Sequence, residues 1–394
     1  MQTIEHNYTA LEKVIVNRPL DEAVPALVKQ FGNERVFVIA SNSLWTNTSS
    51  IQLLVDKLGE SCVGICHQIR AHTPREDVLA AIKSASAANA DVIVAIGGGS
   101  IIDAAKAVQF ALNFDVIEES TLTAFAQFAN GTRGVNAAEA AKGKIPPKNN
   151  IRVIAVPTTL SGAEFSNTAG VLDSNNGSKE GYRAPLLYPR AIVYDPNLSI
   201  HTPEWLWLST AVRSIDHAVE GFCAKEVYPF LEGQYLHAIK LFADSLPLAK
   251  LEPDNLDARA LNQQAVWLAC CGLGRVSHGA SHGIGYILGS LCDVPHGYTS
   301  CVMLPAVLAW NADVNGDRQQ CIARALGNSE DSASRQLKQL ISELGLPTTL
   351  SAVGVKKEQL AEVAERAAQH SVVKSNPKPI HSAAQVMEIL ELAW

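Results

Sequence analysis

Residues 90–107, ADVIVAIGGGSIIDAAKA, decide the fold. The first half is an unbroken apolar run, the type of strand that is buried on both faces of a parallel sheet. Gly97, Gly98, Gly99 and Ser100 follow, and then an apolar helical pattern over 100–113. Glycines between a buried strand and a helix let the backbone approach a ligand closely. The helix start then offers unpaired N–H groups and the positive end of its dipole. Such a turn suits a pyrophosphate, and it equally suits a ligand-free strand-to-helix turn. It is neither the G-x-G-x-x-G fingerprint nor a Walker loop.

The same grammar extends outward. Strands are expected at 14–16, 34–40, 62–65 and 152–156, with helices at 21–31, 49–58 and 75–88 between them. This alternation predicts a doubly wound parallel sheet, Rossmann-like in plan. The 152–156 strand runs into Pro157-Thr158-Thr159-Leu160-Ser161-Gly162. Its hydroxyls stand at the carboxyl end of the sheet, where open α/β sheets bind ligands. Residues 113–149, with Gly131, Gly134, Pro146 and Pro147, read as a surface excursion with a short helix near 136–142.

No strand pattern appears after about residue 196. A helix is expected over 205–223, with Thr202 as its cap and Pro203 and Glu204 in its first turn. Further helices are expected at 228–251, 254–271, 302–311, 318–326, 334–344, 358–368 and 382–394. The chain thus divides into an α/β domain, 1–196, and an all-α domain, 197–394, which its 394 residues accommodate.

Composition bounds the function. Apolar residues make up 47% and the net charge is −7, with no long basic run, so nucleic acid is not an expected partner. No apolar run is long enough to span a membrane. The start, MQTIEHNYTALEKV, lacks a cationic segment ahead of an apolar core. None of the eight cysteines forms a Cys-x-x-Cys pair, and Cys62 and Cys66 have no nearby partner for zinc except His67, so zinc is not expected there. The expectation is a cytoplasmic protein with free thiols.

Residues 272–297, GLGRVSHGASHGIGYILGSLCDVPHG, concentrate His278, His282 and His296 among glycines. His278 and His282 are four apart, so a helix there would set them on one face. His296 follows Pro295 and is placed past a helix end. Converging imidazoles are candidate ligands for a divalent ion.

Five motifs in order resemble the iron-containing (group III) alcohol dehydrogenases. They are GGGSIIDAAKA at 97–107, PTTLSGAEFSNTAGV at 157–171, Lys179 ten residues before Pro189, IDHAVEGF at 215–222, and the stretch ending in PHG at Gly297. The closing segment NPKPIHSAAQVMEILELAW is most similar to the maleylacetate reductase branch. The resemblance implies a dehydroquinate synthase-like fold, hydride transfer between NAD(P)H and a small-molecule carbonyl substrate, and a homodimer. It places Gly97, Gly98, Gly99, Ser100 and Asp103, with Thr158, Thr159, Ser161 and Lys179, at the cofactor. The acid that often holds the adenosine ribose falls at Ser41 and Asn42, with no Asp, so NADP stands beside NAD as the expected cofactor.

Two departures matter. The family's metal is held by an Asp, a His four residues later, and two later histidines fourteen apart. His217, His282 and His296 match the histidines, but the Asp position is Arg213. A guanidinium repels a dication and cannot ligate it. Asp216, about 100° round the helix from His217, is expected to be a poor substitute ligand. The family's further histidine is Tyr286 here, and the match gives His278 no role. The expectation is therefore a metal-independent oxo-acid reductase in which Arg213 acts where the metal would be. His217, His282, His296 or Tyr286 would supply the proton. If iron or zinc binds at all, His217, His282 and His296 are its ligands. The alternatives are a metal-dependent alcohol dehydrogenase, a non-redox lyase or cyclase-type enzyme on the same fold, and a binding protein without activity.

Overall fold

A computed structural model describes residues 4–128, 133–175 and 177–394. The expected loop glycine Gly131 lies outside them. The chain forms two compact units, Met1–His201 and Thr202–Trp394.

In the first unit β1 (Lys13–Val16), α1 (Leu20–Phe31), β2 (Val36–Ala40), α2 (Asn42–Asn47), α3 (Ser50–Leu58) and β3 (Cys62–Cys66) come first. Next are α4 (Arg75–Ala87), β4 (Val92–Gly97), α5 (Gly99–Phe114), α6 (Glu119–Thr123), β5 (Gln127–Phe128) and α7 (Ala137–Ala141). The unit closes with β6 (Arg152–Pro157), β7 (Thr168–Asp173), β8 (Ser178–Arg183), β9 (Ala191–Tyr194) and α8 (Pro196–Ser199). Six strands form one parallel sheet in the order β1-β9-β6-β4-β2-β3. From β2 the chain moves outward to β3, crosses back to β4, and then proceeds the other way through β6 to β9. The direction therefore switches between β2 and β4, and the carboxyl ends of these strands flank the crevice where such sheets take ligands.

Val92, Ile93, Val94, Ala95 and Ile96 are all buried, as the apolar run predicts. Two features differ from the sequence expectation. β9 is a four-residue strand, fully buried, and it adds a sixth member to the sheet. β7 and β8 form an antiparallel pair that continues to β5 as a second, three-stranded sheet. This sheet is fastened by charge. Arg75, on α4, reaches Asp173 at 2.6 Å and Glu180 at 2.5 Å, and the Tyr182 hydroxyl donates to Glu180 at 2.7 Å.

In the second unit the helices are α9 (Glu204–Cys223), α10 (Pro229–Leu251), α11 (Leu256–Cys270), α12 (Ala280–Cys292), α13 (His296–Leu326), α14 (Ala333–Glu343), α15 (Leu360–Gln369), α16 (Ser371–Lys374) and α17 (Ala383–Leu392). Pro203, not Thr202, stands at the cap of α9, and no side chain caps it. The two expected helices at 302–311 and 318–326 are one, His296–Leu326, bent at Asn315 (φ −133°, ψ 29°) just before Gly316. An apolar core of α12, α13, α15 and α17, including Ile284, Leu288, Met303, Val363 and Ile389, holds these helices together. No described helix is long and apolar enough to cross a membrane.

Candidate active site

The first unit places its candidates at the carboxyl edge of the large sheet. Gly97 ends β4 at φ 156°, Gly98 caps α5, and Gly99 begins it. A Cβ on Gly97 would lie 2.7 Å from Ile101 Cγ1, one on Gly98 3.0 Å from Thr159 Cγ2, and one on Gly99 3.2 Å from Ser161 Oγ. The turn is thus a cradle that side chains would fill, and it opens a sixteen-residue helix whose first N–H groups lack intrahelical partners. Gly97→Ala combines a disfavoured φ with this clash. It is expected to destabilise the fold by roughly 1–3 kcal/mol, read as a lowered melting temperature.

The neighbouring loop is pinned to the turn. Thr158 donates its N–H to the Gly97 carbonyl at 3.0 Å, and Thr159 Oγ1 lies 3.2 Å from Ser161 Oγ. The buried Lys106 braces the loop from behind. Its Nζ donates to the Ala163 carbonyl at 3.0 Å, to Ser166 Oγ at 3.0 Å and to the Thr168 carbonyl, and it pairs with Asp103 at 2.9 Å. Asp103 thus serves Lys106 and packs against Gly170. Beside it, burial pushes the Glu164 carboxyl up to about 7, although Tyr194 donates to it at 2.8 Å. Ser100 Oγ accepts the His72 N–H at 3.1 Å, and its carbonyl accepts Thr73 Oγ1 at 3.0 Å. Ser41 ends the β2 edge with its N–H on the Ile96 carbonyl at 2.9 Å, and Asn42 follows it. Lys179 is exposed on β8, in the second sheet and not on a loop of the first.

The second unit gathers a buried polar cluster on one face of α9. Arg213, Asp216, His217 and Glu220 recur at the helical spacing i, i+3, i+4, i+7, and all four are buried. Arg213 Nη1 donates to Ser300 Oγ at 3.1 Å and stands 3.8 Å from Asp216 Oδ2. Its guanidinium carbon lies 5.6 Å from the centre of the Tyr286 ring. Asp216 Oδ2 accepts Ser300 Oγ at 2.6 Å and Ser281 Oγ at 2.8 Å, whereas its buried Oδ1 has no hydrogen-bond partner. A Cβ at Gly285 would lie 2.9 Å from Thr299 Oγ1 and 3.9 Å from Arg213 Nη1, so glycine there lets α12 close on the cluster.

Glu220 sits at the start of α12. One oxygen accepts the N–H of Gly279 at 2.8 Å and that of His282 at 3.3 Å, and the other accepts the N–H of Ser281 at 2.8 Å. The carboxylate therefore satisfies the open end of that helix and lies at its positive pole. The first of these oxygens also takes His282 Nδ1 at 2.7 Å. His282 Nε2 lies 2.9 Å from His217 Nδ1, and His278 Nε2 lies 3.1 Å from the same atom.

Charge is graded along these rings. Burial pushes the His282 imidazolium down and Arg213 adds to that, but Asp216 and Glu220 outweigh both and hold its pKa above the usual value. His217 and His278 are held well below it, by burial first and then by His282. Asp216 is costly to bury, yet His282, Arg213 and Ser300 keep its pKa below the ordinary carboxylate value.

Residues 12–196 match the iron-containing alcohol dehydrogenases, and residues 207–394 match the C-terminal part of the Fe-containing alcohol dehydrogenase family. Dehydrogenase ALT3 of Alternaria alternata is 34% identical, over 92% of this chain and 100% of its own length. The chain belongs to the iron-containing alcohol dehydrogenase family. It is accordingly an oxidoreductase. A maleylacetate reductase of Burkholderia cepacia is 29% identical over 93% of this chain and 91% of its own. The fold matches that of sulfoacetaldehyde reductase from Bifidobacterium kashiwanohense, solved in complex with NAD+, with a TM-score of 0.83, 21% identity and coverage of 99% and 98%.

Within this family the second unit departs from the expected ligand set. The rings that meet are His217, His278 and His282. His296 is exposed as the first residue of α13, its ring against Gly289, because Pro295 caps a new helix at that point. His278 precedes α12 and does not share a helix face with His282, yet its ring stacks on His282 at 4.1 Å. Asp216, discounted on angular grounds, lies inside the cluster and 3.5 Å from His282 Nδ1. Tyr286 is half-exposed, 6.4 Å from His282 between ring centres and 5.7 Å from His370.

Ligand atoms of His217, His278 and His282, and of Asp216, Glu220 and His282, lie within 4.8 Å of one another, but the set differs from the family's. The position of the anionic ligand holds a cation. An ion must lie near the plane of each imidazole that binds it, about 2.0–2.1 Å from the nitrogen. The planes of His278 and His282 are stacked within 18° of parallel, so they cannot share one ion without turning. Glu220 and Asp216 Oδ2 are already engaged by Ser281, Ser300 and the amides of α12, so that Asp216 Oδ1 is the carboxylate oxygen left open.

Proposed function

We propose that the chain is an NAD(P)H-dependent reductase of a small carbonyl compound carrying a carboxylate, an oxo-acid such as maleylacetate, and that Arg213 replaces the metal. The observation that carries this reading is a buried guanidinium at the metal-ligand position, with its Nη1 side on Ser300 and Asp216. Its Nε and Nη2 would present the fork to the substrate. The likeness to maleylacetate reductase supports the substrate class. The Gly97–Ser100 cradle and the Thr158–Ser161 loop suit the pyrophosphate of the dinucleotide, and the sulfoacetaldehyde reductase complex with NAD+ supports a nicotinamide cofactor.

The bound nicotinamide would supply the hydride that reaches the carbonyl carbon. The remaining work falls to this chain. Arg213 stabilises the negative charge that develops on the carbonyl oxygen. Glu220 only accepts at His282 Nδ1, so that nitrogen carries a proton. Asp216 and Glu220 favour the charged ring, and the charged His282 would carry a second proton on Nε2 and donate it to His217 Nδ1. The neutral His217 then bears its own proton on Nε2. As the alkoxide forms, His217 Nε2–H gives up its proton and Nδ1 takes the one from His282. The products are the alcohol, oxidised cofactor and a neutral His282 that solvent recharges. The reading includes a cytoplasmic homodimer, with β1, at the edge of the large sheet, as the strand where a second copy would pair.

Elemental analysis of protein purified without chelator tests the metal-free reading. Less than one tenth of an equivalent of iron or zinc is expected, together with full carbonyl-dependent NAD(P)H oxidation after dialysis against chelator. A stoichiometric metal that is lost together with activity would show the rings turned onto an ion.

A further inference from the structure

We infer that His370 is a specificity-determining residue of this site, its Nε2–H and the Tyr286 hydroxyl forming a receptor for the carboxylate of the oxo-acid. The inference rests on the function proposed above, which commits Arg213 to the carbonyl oxygen. A guanidinium turned to that oxygen leaves a carboxylate several bonds away to other donors.

Such donors continue from Arg213 in a row drawn from three elements. Tyr286 follows His282 by one turn of α12, so both stand on one helix face. The centre of its ring is 5.6 Å from the Arg213 guanidinium carbon and 5.7 Å from the centre of the His370 ring. Among the described residues, nothing accepts from the Tyr286 hydroxyl or from His370 Nε2.

The position of His370 is built into the fold. It stands where α15 ends and α16 begins, and its Nδ1 accepts the Val372 N–H at 3.3 Å. α16 in turn is seated on α12. Val373 is fully buried, and a Cβ at Gly283 would overlap its Cγ2. Glycine there lets α16 approach, and that approach brings the His370 ring to Tyr286.

An Nδ1 that accepts an N–H carries no proton, so the neutral ring bears its proton on Nε2. Burial holds the imidazole below its usual pKa and so favours this neutral form. The cap alone does not require an imidazole, since an asparagine oxygen serves it. What the ring adds is one N–H donor at a defined place beside the Tyr286 hydroxyl. Two neutral donors there can hold a carboxylate while Arg213 stays at the carbonyl.

Maleylacetate and 4-oxobutanoate, each compared with its fully methylated ester, test the receptor. Methylation keeps the carbonyl and the chain and removes the charge. The wild-type kcat/KM is expected to favour acid over ester at least about tenfold, the worth of one hydrogen bond to a charged group. Two substitutions at one position then separate the two ring nitrogens. His370→Asn keeps an acceptor for the Val372 N–H and loses the donor. It is expected to keep the melting temperature and to lower the acid-to-ester ratio about tenfold, through KM for the acid. His370→Gln sets an amide N–H near the place of Nε2 and gives up the cap. It is expected to melt lower, yet to hold the ratio within about threefold of wild type. Tyr286→Phe should lower the ratio as His370→Asn does. Esters reduced as well as acids, a ratio that His370→Asn leaves within about twofold, or equal losses of ratio in the Asn and Gln variants would make His370 a cap alone. Each of these results overturns the inference and leaves carbonyl reduction intact. Absence of NADH or NADPH oxidation with all four compounds overturns the two together.

Discussion

Replacing Arg213 with alanine is expected to lower kcat/KM for carbonyl reduction roughly a hundred- to a thousandfold, the usual cost of losing a donor aimed at a developing oxyanion. The fold should survive. The Arg213–Asp216 separation is 3.8 Å, too long for a hydrogen bond, and Asp216 keeps Ser281, Ser300 and His282. The loss of stability is therefore expected near 1–2 kcal/mol, and not the 3–5 typical of a broken buried pair. Where the loss falls identifies the role. If the guanidinium polarises the carbonyl, kcat falls and KM moves little. If it grips a substrate carboxylate in the ground state, KM rises first. Arg213→Lys keeps a charge and loses the planar fork, so it should recover less than a tenth of the activity. The variant also carries an electrostatic signature. Arg213 depresses the His282 pKa, so its removal should move the alkaline limb of the pH–rate profile to higher pH. A variant with more than a fifth of wild-type activity and an unmoved profile would leave Arg213 a purely structural neighbour of Ser300.

Much of this site could be read before any coordinates, because the signals are local. The apolar run into Gly97, Gly98 and Gly99 names its own strand, turn and helix, and Arg213 and His217 follow from the family's motif spacing on a single helix. What could not be read depends on partners distant in sequence. The β7–β8 hairpin hid because Asp173 and Glu180, polar by type, face inward to Arg75 on α4 and spoil the apolar alternation. Lys106, a charged residue within the pattern of α5, is buried under three oxygen acceptors near the Thr158–Ser161 loop, which its own segment does not announce. The three-ring cluster likewise rests on partners distant in sequence. The family match coupled His282 with His296, fourteen residues on; the left-handed Asp293 (φ 55°) ends α12 and Pro295 caps α13, so His296 opens a new helix. His278 reaches the cluster from the loop before α12, where no periodicity applies. His370, which meets Tyr286 from the start of α16, had no local signal at all.

Glu220→Gln is expected to be the most damaging isosteric change in the second unit. The carboxylate accepts four hydrogen bonds, three from the amides of Gly279, Ser281 and His282 and one from His282 Nδ1. A glutamine oxygen can replace one carboxylate oxygen, but its NH2 then confronts an N–H group. One buried donor is left unsatisfied and the charge at the helix pole is lost, at a cost of roughly 2–4 kcal/mol. The effect on pH dependence separates this role from a simple cap. His282 has its folded pKa above the unfolded value of about 6.5. Between these two values the folded state holds the extra proton, so this stabilisation is fully present below about 6.5 and is lost as pH rises through the folded pKa. In Glu220→Gln the folded pKa falls toward the unfolded one, and that contribution shrinks. The gap in melting temperature between wild type and variant should thus be widest at mildly acid pH and narrow toward alkaline pH. His217 and His278, with depressed values, add the opposite slope below about 6.5 in both proteins, and because burial, the larger cause, is unchanged by the substitution, that part cancels in the difference. Reduction should follow the same charge. A less basic His282 loses its proton at lower pH, so the alkaline limb of kcat should shift to acid in Glu220→Gln, opposite to the shift in Arg213→Ala. Equal stability loss at all pH values together with an unshifted limb would mean that Glu220 only closes the end of α12 and that His282 does not supply the proton.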